Sequence, residues 1–209
     1  MNMLEQFGNI PIDNAVLYSI TDKYKFQRNK IATMEKRNEL IRLKKGLYVV
    51  SSKISRKPLS VELIANHLYG PSYISFETAL AFYGLIPERV YSVRSATFKR
   101  AKRFDNAVGV FEYVTVPHDY FSIGISQQTV ENEYSFLIAT PEKAICDLLL
   151  AKNNLRLQSV KAMNEYLEEE LRIDFSILRN IDTEIFKKCI DTGKKKRELT
   201  MLLRFLSEL

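Results

Sequence analysis

The run QRNKIATMEKRN at residues 27–38, followed by ELIRLKKGLYVV at residues 39–50, decides how the N-terminal part of the chain folds. With Ile31 as the buried reference and 100° per residue, Met34, Glu35 and Asn38 share one side of a helix from Gln27 to Asn38. Asn29, Thr33 and Lys36 fall opposite, flanked by Lys30 and Arg37. One side of this helix is expected to meet a core, and the other is polar and basic. Leu40-Ile41-Arg42-Leu43 and Leu47-Tyr48-Val49-Val50 then read as strands, with Lys44-Lys45-Gly46 as the turn and Gly46 where a positive φ is needed. Upstream, Ile12 to Ile20 has the spacing of a short helix capped by Asp13. Two helices and a hairpin in this order outline a winged helix-turn-helix.

Charge singles out the same region. The chain has 209 residues and a net charge of +6, from 31 Lys and Arg against 25 Asp and Glu. Residues 1–57 hold 12 basic and 5 acidic groups, a balance of +7, whereas residues 58–139 carry −2 and residues 140–209 carry +1. A neutral body with one basic end suits an arm or small domain that meets a polyanion. Apolar residues at 46% and charged residues at 27% exclude disorder as the main state. No stretch approaches the ~20 apolar residues of a membrane span. The N-terminus lacks the basic start and apolar core of a secretory signal. Cys146 and Cys189 alone make a disulfide framework unexpected. The cytoplasm is the expected compartment, with no membrane contact.

The polar stretch Ser51 to Lys57, closed by Pro58, marks a boundary between residues 1–57 and residues 58–209. Beyond it, Ser60–Tyr69 reads as a helix stopped by Gly70-Pro71, and Ser75 as the cap of a helix from Phe76 to Tyr83 that Gly84 ends. Tyr91–Phe98, Val108–Val116 and Tyr134–Ala139 are strand candidates. Thr140 caps a helix that starts at Pro141 and runs to about Lys152, and Val160 to Glu208 reads as three or four more helices. The expected class is α+β: a winged helix-turn-helix, then an α+β domain with a small sheet and a helical C-terminal region. Residues 58–209 hold most apolar segments and are expected to fold alone.

Catalytic arrangements find little support. The histidines that would serve a Ser or Cys nucleophile are His67, placed mid-helix, and His118, in a loop pair with Asp119. Two distant cysteines do not make a zinc site, the glycines form no phosphate-binding loop, and Glu112 lacks the nearby lysine of a nuclease strand. The triplet Glu168-Glu169-Glu170 is a solvated helix end. The chain is therefore expected to be non-enzymatic, with no catalytic residue, metal or cofactor.

Nucleic-acid binding has better support. Gln27, Asn29, Lys30, Thr33, Lys36 and Arg37 put base-capable and phosphate-capable side chains on one helix, and Arg42, Lys44 and Lys45 add cations at the hairpin. Lys99, Arg100, Lys102 and Arg103, read as a loop between strands, are candidate auxiliary phosphate contacts. The Lys194–Arg197 run is a weaker anion contact.

The run Asn38–Val49 (NELIRLKKGLYV) resembles the wing of the AbiEi antitoxin family. Pro71–Leu80 (PSYISFETAL), continued by Tyr83-Gly84-Leu85, and Thr140–Leu148 (TPEKAICDL) are similar to landmarks of that family's second domain, in the same order. The resemblance implies a repressor that binds inverted repeats in double-stranded DNA at its own promoter. It also implies the antitoxin half of a type IV toxin–antitoxin, or abortive-infection, pair beside a nucleotidyltransferase-like toxin. Glu142, Lys143 and Asp147 match the family pattern, and a structural role suits them too. The competing reading is a protein-interaction module that binds a toxin or another partner through residues 58–209.

Overall fold

A computed structural model describes residues 2–88, 90–152, 157, 159–174 and 182–208. The fold is α+β. Near the N-terminus, β1 (Ile12–Asp13), β2 (Leu40–Lys44) and β3 (Leu47–Val50) form an antiparallel sheet with β3 in the centre. Helices α1 (Asn14–Ile20) and α2 (Gln27–Lys36) close a small core of Leu17, Ile31, Met34, Leu40, Tyr48 and Val50. Asp13 caps α1 as expected, accepting from the Val16 N–H at 3.0 Å. Ile12 itself pairs with Tyr48, so this helix starts two residues later than its sequence suggests.

Helix α2 also ends earlier, at Lys36 rather than Asn38. Asn38 takes φ 54°, its N–H bonds to the Glu35 carbonyl at 2.9 Å, and the Glu39 N–H bonds to the Met34 carbonyl at 2.9 Å. This pair of bonds is the Schellman closure, with asparagine in the left-handed site where glycine is commoner. Asn38 is consequently exposed instead of facing the core. The hairpin turn follows expectation: Gly46 has φ 81°, and a Cβ there would lie 3.3 Å from the Asn14 amide nitrogen.

The rest of the chain begins with two helices, α3 (Ser52–Ser55) and α4 (Val61–Leu68), the latter capped by Ser60. It continues through β4 (Tyr73–Ile74), α5 (Phe76–Phe82), β5 (Ser92–Thr97), β6 (Lys102–Asn106) and β7 (Gly109–Thr115). Then come α6 (His118–Phe121), β8 (Ile125–Val130), β9 (Tyr134–Ala139) and α7 (Pro141–Ala151). Helix α8 (Val160–Glu165) runs into a π-turn at Tyr166–Glu170, and α9 (Thr183–Thr192) and α10 (Lys196–Ser207) follow. The six strands lie in the order β6-β7-β5-β4-β9-β8, parallel at β5/β7 and β4/β9 and antiparallel elsewhere. Thr140 caps α7 with Pro141 at its first position, as read from the sequence. No helix among the described residues is long and apolar enough to cross a membrane.

Several expectations change. Strands β4, β6 and β8 add to the three expected in this sheet, and Lys102 and Arg103 lie in β6 rather than in a loop. His118 opens the one-turn α6 instead of sitting in a loop. Ser75 precedes α5 without capping it. Phe76, the first residue of that helix, sits at φ 56°, and the Ser75 hydroxyl donates to Asp147 instead.

The hairpin serves two cores. Tyr48 and Val50 of β3 join Leu40 in the small core, while Leu47 and Val49 join Leu43 in the large one, which also takes in side chains of the six-stranded sheet. Alternation along a strand explains the division, since successive side chains leave opposite faces. Between the two units, the Asn106 amide donates to the Leu43 carbonyl at 3.1 Å and the Asn9 amide to the Pro58 carbonyl at 3.0 Å. The packing therefore does not divide at residues 57 and 58.

Candidate nucleic-acid interface

Helix α2 is anchored on one side and open on the other. Ile31 and Met34 are buried, and the Gln27 side-chain amide donates to the Tyr18 carbonyl at 2.8 Å, tying α2 to α1. That bond ties one amide N–H of Gln27 to the scaffold and leaves the side chain half-exposed. Asn29, Thr33, Lys36 and Arg37 are exposed. The Thr33 hydroxyl donates to the Asn29 carbonyl at 2.8 Å, the usual fallback of a helical threonine without an outside partner. Lys30 lies half-buried on the flank, its ammonium 4.7 Å from the centre of the Tyr24 ring. Tyr24 and Phe26 themselves are exposed in the loop that leads into α2.

The three hairpin cations have separate surroundings. Arg42 is exposed, 2.6 Å from Glu35 of α2, and its guanidinium lies 5.7 Å from the Tyr48 ring. Lys45 is exposed at the turn. Lys44 is half-buried, and its ammonium donates to the Leu68 carbonyl at 2.5 Å. A register shift between Arg42 and Lys44 turns the strand there, and the last carbonyls of α4, which lack acceptors' usual helical donors, attract the cation. Lys44 is thus not a free tip. Burial lowers its pKa, and the charges of Lys102 and Lys99 lower it further.

That coupling reflects a grouping hidden in the sequence. Lys99 donates to the Gly70 carbonyl at 2.7 Å and stands 5.8 Å from the Tyr69 ring centre, while Lys102 stands 5.4 Å from the same ring. Two ammonium groups therefore stand over Tyr69, and a third, that of Lys44, bonds the carbonyl of the residue before it. Arg103 pairs with Glu112 at 2.6 Å, and the exposed Arg100 contributes its carbonyl to the Tyr69 hydroxyl at 3.1 Å. Of the weaker Lys194–Arg197 run, Lys195 turns inward, donating to the Leu149 carbonyl at 3.0 Å and to the Lys152 carbonyl.

The conspicuous polar residues of α7 form an internal cluster. Lys143 and Asp147 are fully buried and 3.3 Å apart. Asp147 accepts from the Tyr73 hydroxyl at 3.0 Å and the Ser75 hydroxyl at 2.6 Å, and Lys143 donates to the Tyr120 carbonyl at 2.9 Å. Glu142 accepts the Asp182 N–H at 3.1 Å, fixing the start of α9. With both charges buried, the arrangement ties α7 to β4, to the residue before α5 and to α6. The two buried thiols join this cluster: burial pushes Cys146 up, and a hydrogen bond from Cys146 pulls Cys189 down. Their sequence separation concealed the encounter.

Burial also raises the phenols of Tyr73, Tyr113 and Tyr120, and the Asp147 charge adds to the shift for Tyr73 and Tyr120. An unfolded tyrosine ionises near pH 10. Stability held by these neutral phenols is complete below that value and falls as pH rises above it, because only the unfolded chain releases the protons. Urea midpoints should be level from pH 7 to 9 and drop steeply beyond pH 10. Each phenol kept neutral contributes a slope of about 1.4 kcal/mol per pH unit. A level profile through pH 11 would show that these hydroxyls are solvated.

No family model and no curated protein matches the chain.

Proposed function

We propose that the protein is a DNA-binding transcriptional autorepressor and the antitoxin of a type IV toxin–antitoxin pair, binding inverted repeats at its own promoter. In this reading the N-terminal unit is a winged helix and α2 is its recognition element. The observation that carries it is the outer face of α2, where Asn29, Thr33, Lys36 and Arg37 are all exposed on a helix held from behind by Ile31 and Met34. A helix fits the ~12 Å major groove, and these side chains suit base edges and phosphates. Arg42 and Lys45 flank it from the hairpin, and Lys99, Arg100, Lys102 and Arg103 are auxiliary backbone contacts. The similarity of Asn38–Val49, Pro71–Leu85 and Thr140–Leu148 to the AbiEi family supports the antitoxin role, with a nucleotidyltransferase-like toxin as partner and the cytoplasm as compartment.

Binding to a promoter fragment at several salt concentrations tests the reading. Contact with about five phosphates predicts a log–log slope near −4.5, and a flat response would overturn it. Thr33 and Lys36 lie near the centre of the outer face. Replacing both with alanine should cost roughly 1–3 kcal/mol per lost base contact and narrow the gap between operator and random DNA. Unchanged discrimination would mean that another element reads the sequence. Retention of the neighbouring gene's product on the tagged chain would add direct toxin binding through residues 58–209.

A further inference from the structure

A cleft of about 460 Å³ opens between α2 and the hairpin, and Arg28, Glu35, Arg42 and Lys45 are its charged lining. Arg28 and Glu35 are separated by two helical turns, so both look toward the hairpin instead of along the Asn29–Thr33–Lys36 face. Arg42 and Glu35 satisfy each other at 2.6 Å. Arg28 and Lys45 have no ion-pair partner among the described residues, and both are exposed. The floor is apolar: Ile31 and Tyr48 are buried beneath the charges. The cleft therefore concentrates three cations against one carboxylate over a surface of low polarity. Such cations repel one another until an anion lies between them, and a guanidinium is shaped to grip two phosphate oxygens together.

We propose that this cleft seats one backbone phosphate of bound DNA, gripped by Arg28 from α2 and Lys45 from the hairpin. Glu35 acts against that grip, because it neutralises Arg42 and places a carboxylate beside the phosphate. The proposal rests on the DNA-binding reading above and deepens it. If the outer face of α2 enters a groove, the strand that walls the groove passes beside the helix, which is where the cleft opens. Sequence alone points to Arg42 and Lys45 and not to Arg28, whose place at the edge of the helical wheel gains meaning from the hairpin that shares its cleft.

The test uses the full chain, a promoter duplex and a random duplex, with binding followed by fluorescence anisotropy from 50 to 200 mM salt. Arg28→Ala and Lys45→Ala should each weaken both duplexes alike and reduce the salt slope by about 0.9, the signature of one lost phosphate contact. Glu35→Gln should do the reverse, tightening both duplexes and steepening the slope as Arg42 is released. Urea midpoints close to that of the unmodified chain would show that the variants are folded, as expected for exposed side chains. Three results would overturn the proposal. If the unmodified chain binds DNA and the Thr33 and Lys36 substitutions weaken it, yet Arg28→Ala and Lys45→Ala keep the full slope, the cleft is a bystander and the function stands. If thymidine monophosphate binds the chain, is lost in Arg28→Ala, and duplex slopes are unchanged, the seat belongs to a free nucleotide. If the unmodified chain binds no DNA, the functional reading falls and this proposal with it.

Discussion

Replacing Asp147 with alanine should destabilise the protein by about 3–5 kcal/mol, the range found when one partner of a buried ion pair is removed. The carboxylate is fully buried and serves three groups: the Lys143 ammonium and the hydroxyls of Tyr73 and Ser75. Without it the ammonium keeps the Tyr120 carbonyl as its hydrogen-bond acceptor, and both hydroxyls lose theirs. An uncompensated charge inside a core is the larger penalty, and each orphaned hydroxyl adds to it. Total stabilities of about 5–15 kcal/mol make this a large fraction. At about 2–4 °C per kcal/mol for a chain of this size, the melting temperature should fall by roughly 6–20 °C. Combining Lys143→Met with Asp147→Asn should be milder than Asp147→Ala alone, because no charge is stranded and the amide oxygen still accepts from Tyr73 and Ser75. A loss below about 1 kcal/mol for Asp147→Ala would show that water reaches the pair.

Residues 58–209 expressed alone should fail to fold cooperatively, the reverse of what sequence suggests. A cut before Pro58 removes Leu43, Leu47 and Val49 from the large core and takes away the Leu43 carbonyl that Asn106 donates to. At about 1.5–3 kcal/mol for each buried aliphatic side chain, these three account for roughly 5–9 kcal/mol. That is comparable with the whole stability of an ordinary domain. The fragment should melt without a sharp transition and bind a hydrophobic dye, as proteins that have lost fixed packing do. A fragment starting at Asn38 keeps the hairpin and should recover part of the cooperativity. A transition in residues 58–209 as sharp and as high as that of the full chain would show that the hairpin side chains contribute little.

What sequence revealed and what it concealed follow from the range of the interactions. Local chemistry was readable: Asp13 and Thr140 as caps, Pro141 at a first helical position, Gly46 in a turn, and the two-sided character of α2 around Ile31. Each depends on neighbours a few residues away. The short β4 offers too few residues for any period, and β6 was hidden because its side chains are charged and largely exposed. The run Leu47–Val50 is apolar throughout, which signals burial without saying that its two faces enter different cores. A structural role for Lys143 and Asp147 was readable, but their partners were not: Tyr73, Ser75 and Tyr120 converge from remote segments, and that convergence makes the burial of both charges tolerable. For the candidate interface, the outer face of α2 was readable from its angular spacing. The inward turn of Lys44, the anchoring of Gln27 and the company of Lys99 and Lys102 depend on tertiary contacts.

The six-stranded sheet ends at β6 on one side, where β2 lies near and the Asn106 amide reaches the Leu43 carbonyl, and an outermost strand left uncovered would offer N–H and C=O groups to an approaching strand. On β6 these groups lie among Lys102, Arg103 and Asp105, all exposed. A second copy adding its own β6 there in parallel register would bring Lys102 and Arg103 against their counterparts and bury their charges. The same side chains, proposed as backbone contacts to DNA, thereby discourage the protein from polymerising with itself. Neutralising both should leave the fold intact and shorten the time to visible aggregation in a concentrated stock.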